Sequence, residues 1–352
     1  MENDRELEPL GWNAIDDVVN GIYGDTEPKH WGTVLPYSLG GRDPLTGLSA
    51  YRDIDDGASW HFVTYGFSEL YEKEWDDPEI SGFGFELTFR LQANDLEEHA
   101  TWVFNFLQNL ARYVFDTGRR FGQGHTMPLN GPIRSESDTK IVGIAFVRDP
   151  QLDKIDTPNG EVQFLQVVGL TEDELEAIQY WNAQSFLELV AEKNPKLVTD
   201  LDRRSYLGDE RFAETVRVRS TEEGASCSEF HADRFSFSTS RWTRKCTLTL
   251  GAFLVEDLVR RLCGRIPYGR EFLVSGGLDD RAIVFIAGDE NKWSIDGETL
   301  TIHLTAQAAT AFREEVLPIV GTYTIPGLER FAVLVERTEI RDNDGNVTKV
   351  VG

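Results

Sequence analysis

One segment, Ser81–Leu91 (SGFGFELTFRL), restricts the fold of this chain more than any other. Within it, phenylalanine and leucine alternate with glycine, polar and charged residues. Successive side chains of a strand point to opposite faces, so the alternation predicts a strand with one strongly apolar face. The two glycines weaken a strand, and they predict a bend or the close approach of another backbone. Glu86 and Arg90 on the opposite face are secondary candidates for binding, as a charged floor beneath a ligand.

Three other patterns predict the surroundings of this strand. Residues Trp60–Phe67 are rich in aromatic and β-branched side chains and predict a second strand, antiparallel to the first. Apolar residues repeat at helical spacing between Trp102 and Val114, which predicts a helix that packs on the aromatic face. A shorter amphipathic helix is predicted from Trp12 to Tyr23.

Further strands are predicted along the first two thirds of the chain. Lys140–Arg148 has strand composition and ends abruptly where Asp149 precedes a proline. Glu161–Val168 predicts a second strand, and the alternation in Glu214–Arg219 predicts a third.

One helix start is marked by a capping box. Thr171 and Glu174 stand three residues apart, where each side chain can bind a free backbone N–H of the first helical turn. The helix is expected to run to about Lys193, because Pro195 cannot continue it.

A change of composition predicts two domains. Residues 221–244 are rich in serine, threonine and charge without clear periodicity, and we interpret them as a linker between domains at residues 1–220 and 245–352. The predicted class is α+β, with mixed or antiparallel sheets flanked by helices in both domains and a short hinge between them. The second domain is predicted to contain strands at Cys246–Leu250, Phe272–Ser275, Ala282–Ala287, Leu300–Leu304 and Phe331–Glu336, and helices near Leu254–Cys263 and Ala306–Leu317.

The charge of the chain disfavours polyanionic partners. Sixty acidic residues against 35 basic ones give a formal net charge of -25. Such a protein repels nucleic acids and anionic membranes and would attract a basic protein or peptide. Acidity of this kind also serves solubility alone, so it does not identify the partner.

The remaining composition predicts a cytoplasmic protein. The three cysteines form no C-x-x-C pair, which is typical of reduced thiols. The N-terminal residues are acidic and polar, unlike a secretory leader, and no apolar run approaches the roughly 18 residues of a membrane helix.

Catalytic motifs are missing from the sequence. It contains no phosphate-binding glycine loop, no nucleophile elbow and no paired-histidine metal motif. The prediction is therefore a protein that is not an enzyme, with no catalytic residues, metal or cofactor. Two alternatives stay open: a hydrolase that uses His61, Glu86 or Asp149, and a zinc site formed by His61, His125 and Glu86.

Several segments resemble the core signature of the Suppressor of fused family. The SGFGFELTFRL segment is the most specific of them, and the rest follow in the family's order over residues from about 20 to 210, with a weaker resemblance beyond. The matching segments are Trp60–Tyr71, Ser81–Leu91, Leu110–Phe115, Asp149–Gln151, Thr157–Pro158, Phe164–Gly169, Trp181–Asn182, Leu187–Leu189 and Thr199–Asp200.

The resemblance implies a binding protein. Animal members are non-enzymatic repressors of Hedgehog signalling whose two domains close around a peptide of Gli transcription factors. The peptide adds a strand between one edge strand of each domain. Carried over to this chain, those strands are Ile141–Val147 and Cys246–Leu250, and the first candidate site residue is Asp149. The partner-binding candidates are Asp149, Phe146, Val147, Cys246, Leu248 and Leu250, with His61, Glu86 and Arg90 as secondary candidates.

The compact form of the chain differs from that of animal members. It lacks their long acidic insertion and their proline-rich leader. In this compactness the chain resembles bacterial members of the family. Bacterial relatives are often considered immunity proteins, so the resemblance implies, as an alternative, neutralisation of a basic toxin such as a nuclease.

Overall fold

The computed structural model describes residues 8–35, 37–53, 55, 58–93, 96–232, 234–276, 281–341 and 346–352. The chain divides into two compact units. Unit 1 comprises residues 1–176 and 183–213, and unit 2 comprises residues 177–182 and 214–352. The chain therefore passes from one unit to the other at three places, whereas the sequence predicts one short hinge. The fold class is α+β, as predicted.

Unit 1 is built on one mixed sheet. The helices that contribute to it are α1 (Leu10–Tyr23), α2 (Leu96–Thr117), α3 (Glu172–Gln179), α4 (Ala183–Ala191) and the start of α5 (Glu210–Glu223). Its strands are β1 (Lys29–Gly32), β2 (Gly47–Arg52), β3 (Ser59–Tyr65), β4 (Ile80–Gln92), β5 (Thr126–Pro128), β6 (Ile141–Arg148), β7 (Ile155–Thr157) and β8 (Gly160–Thr171). The strand order is β1-β2-β3-β4-β8-β6-β5, with β7 also paired to β8. The β4–β8 pair is parallel, and β3 and β4 are antiparallel neighbours as predicted.

Strand β4 is covered on both faces. On one face, the ring of Phe89 lies 6.2 Å from that of Trp102 and 5.8 Å from that of Phe106, which confirms the predicted packing against α2. On the other face of the sheet, Ile15 and Val19 of α1 belong to a second buried cluster with Val63 of β3 and Phe164 of β8, the strands on either side of β4. Strands buried on both faces carry charge only where it is paired. Glu86 and Arg90 are 0% and 1% exposed, so they are interior residues and not the open charged floor that the sequence predicts.

The two glycines of β4 serve both purposes that the sequence predicts. Gly82 and Gly84 have φ values of +54° and +84°, and the β4–β8 register shifts between Ile80 and Phe85. A Cβ on Gly82 would lie 2.7 Å from the carbonyl oxygen of Phe67. The bend and the close approach therefore coincide at Gly82.

The helix predicted from Thr171 to about Lys193 is two helices. Helix α3 ends at Gln179 and α4 begins at Ala183, with the fully buried Trp181 between them. The capping box is half confirmed. The backbone N–H of Thr171 donates to Glu174 Oε2 at 3.0 Å, but the Thr171 hydroxyl donates to Asp173 Oδ1.

The strand predicted at Glu214–Arg219 is wrong, because these residues lie in α5. Phe212 and Val216 are four residues apart and both 6% exposed, so a helical stripe is buried there. Arg217 pairs with Glu214 on the exposed face of the same helix. The alternation of valine and arginine fits a strand only over these six residues, whereas the longer spacing of apolar residues fits a helix.

Among the described residues, unit 2 combines three sheets with most of α5 and two further helices. Its strands are β9 (Glu229–Ala232), β10 (Phe235–Thr239), β11 (Cys246–Gly251), β12 (Phe272–Gly276), β13 (Ala282–Ala287), β14 (Lys292–Asp296), β15 (Thr299–Leu304), β16 (Gly321–Tyr323), β17 (Phe331–Glu336), β18 (Thr338–Arg341) and β19 (Val347–Val351). The two further helices are α6 (Ala252–Arg265) and α7 (Ala306–Glu315). The sheet orders are β10-β11-β17-β16, β14-β15-β13-β12-β9 and β18-β19.

The prediction of a linker at residues 221–244 is wrong. This stretch contains the end of α5 and the strands β9 and β10, which pair with β12 and β11 of unit 2. Phe235 and Phe237 are 2% and 6% exposed and belong to the core of the unit. Their period-two spacing is a strand signal that the serine-rich composition conceals.

Candidate functional site

The site begins at the end of β6, where Arg90 of β4 binds Asp149. Arg90 Nη1 donates to Asp149 Oδ2 at 2.6 Å, and Nη2 donates to Oδ1 at 3.0 Å. This bidentate geometry is the strongest that a guanidinium and a carboxylate form. Both side chains are inaccessible to solvent, at 1% and 0%.

Asp149 also fixes the loop that follows β6. Its Oδ1 accepts from the backbone N–H groups of Gln151 and Leu152 at 2.8 and 3.0 Å. Its Oδ2 accepts from the Thr88 hydroxyl at 2.6 Å. Asp149 thus connects β4 to the loop that follows β6, and its oxygens are engaged inside unit 1.

His61 of β3 completes the cluster. Its Nε2 lies 3.2 Å from Asp149 Oδ2, and the hydroxyl of Tyr23 lies 3.0 Å from its Nδ1. Tyr23 donates to Nδ1 when the imidazole carries its proton on Nε2, and that tautomer directs the Nε2 proton toward the carboxylate. Two glutamines also bind the terminal nitrogens of Arg90: Gln151 Oε1 accepts from Nη2 at 3.0 Å, and Gln166 Oε1 accepts from Nη1.

Burial and charge act in opposite directions in this cluster. Burial favours the neutral acid, but His61 and Arg90 outweigh it and hold the pKa of Asp149 well below its usual range. Burial and the charge of Arg90 lower the pKa of His61 more than Asp149 raises it. The cluster at neutral pH is therefore an Arg90–Asp149 ion pair beside a neutral imidazole.

Glu86 lies in a separate network. Its carboxylate accepts from the hydroxyls of Thr64 and Ser68 at 2.7 and 2.6 Å, and from the backbone N–H groups of Gly66 and Ser68 at 2.9 and 3.0 Å. Burial nevertheless raises the pKa of Glu86 above its ordinary value. The contacts assign Glu86 to holding the turn after β3.

Strand β6 is an internal strand over most of its length. It pairs with β8 on one side and with β5 on the other, where Thr126, Met127 and Pro128 face Ala145, Ile144 and Gly143. Phe146 is 1% exposed and stacks on Phe121 at 4.1 Å. The half-buried Val147 and the exposed Arg148 lie beyond the last residue that β5 covers. The edge predicted for β6 is therefore limited to its last residues.

Strand β11 has no free edge. It pairs with β10 along Cys246–Leu250 and with β17 over the same residues. Cys246, Leu248 and Leu250 are 0–2% exposed and belong to the core of unit 2. The prediction of an edge strand with these side chains toward a partner is wrong. The border strands of this sheet are β10 and β16, and β10, the neighbour of β11, lies in the stretch that the sequence predicts to be a linker.

The structure thus brings three of the predicted site residues together. Asp149, Arg90 and His61 meet in one cluster, whereas Glu86 lies apart in unit 1 and the β11 residues belong to unit 2. The sequence does not identify Tyr23, Gln151 and Gln166 as site residues, because polar residues in a helix, a loop and a strand leave no spacing signal.

Neither of the two described grooves is lined by a predicted site residue. One, of about 400 Å³, is formed by α1, β2 and the connection between α1 and β1; the other lies beside the start of α3. Among the described residues, no group of histidine, cysteine and acidic side chains could hold a metal ion. In the same part of the chain, no helix has both the length and the apolar character to cross a bilayer.

Comparison with known proteins places these observations in a family. The sequence pattern of the Suppressor of fused protein family matches residues 41–204. A chain from the crystal structure of the Sufu–Fu complex is 33% identical, with 60% of this chain and 97% of that chain covered and a TM-score of 0.54. The chain belongs to the Suppressor of fused family.

The Suppressor of fused homologs of Homo sapiens and Mus musculus are each 36% identical to this chain over 211 residues. Each match covers 55% of this chain and 43% of the mammalian protein, so the chain spans less than half the length of these relatives. The crystal structure of Drosophila Suppressor of Fused shares the fold, with a TM-score of 0.80, 22% identity, and coverage of 93% of this chain and 97% of that one.

Proposed function

We propose that this member of the Suppressor of fused family is a binding protein that holds a segment of another protein and acts without catalysis. The observation that carries the proposal is the 33% identity to a chain crystallised in the Sufu–Fu complex, nearly all of which is covered. The burial of Asp149, His61 and Glu86 supports it, because none of them is accessible to a substrate.

In unit 1, the proposed contact surface is the end of β6. Val147 and Arg148 lie next to the border that β5 leaves uncovered. Asp149 directly follows them, and its bonds to Arg90 and to the backbone of residues 151 and 152 fix their position. Asp149 thus acts as a positioning residue, and the exposed Arg148 is the side chain that meets the partner.

In unit 2, the proposed contact is the outer side of β10. The resemblance directs the partner segment to the sheet that contains β11, and β10 is the border strand there. Its last residues, Ser238 and Thr239, are exposed. A partner strand added at this border would supply the unit 2 contact of the clamp that the resemblance implies.

The test is binding of Fu, the protein crystallised with Sufu, together with affinity capture from cells that contain this chain. Arg148→Glu is expected to weaken every specific complex, because it reverses an exposed charge without disturbing the core. Arg119→Glu, which reverses another exposed arginine of unit 1, is the matched control. Failure to enrich any protein over a resin control would refute the binding function. Equal binding by the two variants would refute the β6 surface.

A disulfide between β10 and β11 separates two routes of binding in unit 2. Ser238 and Thr247 face each other in the register, so a cysteine pair at these positions fits disulfide geometry. We expect the oxidised variant to bind as well as the reduced one, because the partner adds outside β10. Loss of binding on oxidation would show that β10 must leave β11 first.

Neutralisation of a basic toxin stays a prediction from the resemblance. It requires that co-expression of this chain protect cells from a toxin encoded beside its gene. The charge of -25 is the property of the chain that supports it.

A further inference from the structure

The connection between β10 and β11 carries a tryptophan that none of the described residues covers. Residues 240–245 (SRWTRK) join the two antiparallel strands, and the Trp242 side chain is 97% exposed. Tryptophan is the largest side chain and is normally well buried, so complete exposure at the end of an ordered hairpin is unusual. We name residues 240–245 the basic tip.

The basic tip is locally positive in a strongly negative protein. It contains Arg241, Arg244 and Lys245, and no acidic residue occurs from Phe235 to Val255, in a chain with 60 acids. Among the described residues, no side-chain ion pair is formed by these three bases. Arg330 also lies at this end of the sheet, since its carbonyl oxygen accepts from Cys246 N–H at 2.8 Å, and Glu329 is its neighbour in the chain.

The backbone of the basic tip is fixed by its own hydrogen bonds. Ser240 N–H donates to the carbonyl oxygen of Lys245 at 3.0 Å, and Arg244 N–H donates to that of Ser240 at 2.9 Å. Arg244 has a φ of +50°, a conformation that glycine or asparagine adopts at lower cost. An arginine is thus present where the backbone alone would favour another residue.

We propose that the basic tip is a docking surface for an acidic segment of a protein partner, with Trp242 packed against an apolar side chain of that segment. The inference rests on the proposed binding function and adds the chemical character of the partner. Tryptophan and arginine are the residues that contribute most often to binding energy at protein interfaces. The three bases of the basic tip complement the carboxylates of an acidic segment, and the pre-ordered hairpin reduces the entropy lost on binding.

The same combination of tryptophan and basic residues occurs at membrane surfaces. A protein partner is favoured here because the net charge of -25 repels an anionic bilayer, which extends beneath the whole molecule. A peptide segment contacts the basic tip alone and avoids that repulsion. The inference also differs from the basic partner that overall charge predicts, because the local charge at the exposed aromatic residue has the opposite sign.

Fluorescence anisotropy with the full chain provides the test. The probe is a labelled peptide in which glutamates flank one phenylalanine, compared with the same peptide carrying lysines. We expect the acidic peptide to bind more tightly. Trp242→Ala and the double variant Arg241→Glu/Arg244→Glu should each weaken it by about tenfold or more. Trp242→Phe should retain most of the affinity.

The matched control is Arg42→Glu/Arg119→Glu, which changes the net charge equally at two exposed arginines of unit 1. The inference is overturned if this control weakens the acidic peptide as much as the tip variants do, or if the lysine peptide binds equally well. If the protein binds phosphatidylserine vesicles through Trp242 and does not bind the acidic peptide, the inference of a protein partner is wrong. If a captured partner binds all variants of the basic tip as well as the unmodified protein, this inference is wrong and the proposed function is unaffected.

Discussion

Arg90 holds both carboxylate oxygens of Asp149 at 2.6 and 3.0 Å, across a sequence separation of 59 residues. The pair connects β4, in the middle of the unit 1 sheet, to the loop that follows β6. A buried carboxylate that loses its only guanidinium partner keeps the cost of desolvation without the compensating attraction. The integrity of this corner of unit 1 therefore depends on both partners.

Asp149→Ala is expected to lower the free energy of unfolding by about 3–5 kcal/mol, because it leaves Arg90 buried without its counter-ion. Urea denaturation followed by circular dichroism measures the change. Glu161→Ala is the control, since its ion pair with Lys154 is exposed and is worth about 1 kcal/mol or less. Similar losses in the two variants would contradict a structural role for Asp149.

Stability should fall on the acid side in two stages. In the unfolded chain, His61 is protonated as the pH falls through about 6.5. In the folded protein its pKa is lowered, so His61 stays neutral to a lower pH. Stability contributed by His61 is thus lost as the pH falls below about 6.5. The pKa of Asp149 is also lowered, so its contribution is complete above about pH 4 and is lost as the pH falls further.

The variant His61→Asn isolates the first stage, measured as the urea midpoint between pH 7 and pH 5. We expect a flatter profile than in the unmodified protein. His30→Asn is the comparison variant. The pKa of His30 is also lowered by burial, but His30 is more exposed, so its replacement should flatten the profile less. The interpretation fails if His30→Asn flattens the profile as much as His61→Asn or more.

Gly82→Ala should destabilise unit 1 more than Gly118→Ala. Both glycines have positive φ values, +54° and +68°, so both variants carry the conformational cost of about 1–2 kcal/mol. Only at Gly82 does the added Cβ meet a backbone atom, 2.7 Å from the Phe67 oxygen, whereas at Gly118 nothing lies within 4 Å. Equal thermal midpoints for the two variants would show that the close approach at Gly82 relaxes freely.

The three thiols should react with Ellman's reagent in a fixed order. Cys227 is exposed, Cys263 is intermediate and Cys246 is buried. Burial raises the pKa of Cys246 to about 11, so little thiolate is present at neutral pH. We expect Cys246 to react only as unit 2 unfolds, and Cys227→Ser to remove the fast phase. Fast labelling of Cys246 in the folded protein would show that β11 is accessible after all.

The sequence is sufficient to predict a helix or strand where the spacing of apolar residues stays constant along the whole element. The alternation of Ser81–Leu91 and the stripe from Trp102 to Val114 predict β4, α2 and the packing between them, because a buried face requires that spacing. Glu214–Arg219 shows the limit, since a few residues of alternation fit a strand while the longer stripe through Phe212 and Val216 fits a helix. Phe235 and Phe237 were overlooked for the opposite reason, because serines and basic residues around them indicate a linker.

The binding residues were harder to predict than the fold. The sequence identifies Asp149, Arg90 and His61 as candidates, and the structure brings them together. It does not predict that they bind one another inside unit 1, because burial of a polar group depends on the helix that covers it, here α1. The border position of β10 follows from sheet order, and strand order is not encoded in local spacing.

Residues 177–182 belong to unit 2 although the residues on both sides of them belong to unit 1. Trp181, near the end of this insertion, donates its indole N–H to Glu223, and its carbonyl oxygen accepts from Ser226 N–H. Any fragment that begins after residue 182 therefore lacks part of unit 2, and any fragment that ends at residue 213 carries an exposed piece of it. During synthesis on the ribosome, Trp181 is made before residues 214–352 of its unit. Its hydrogen bonds with Glu223 and Ser226 can form only after those residues have been made. A single cut of the chain therefore cannot give two fragments that each contain one complete unit.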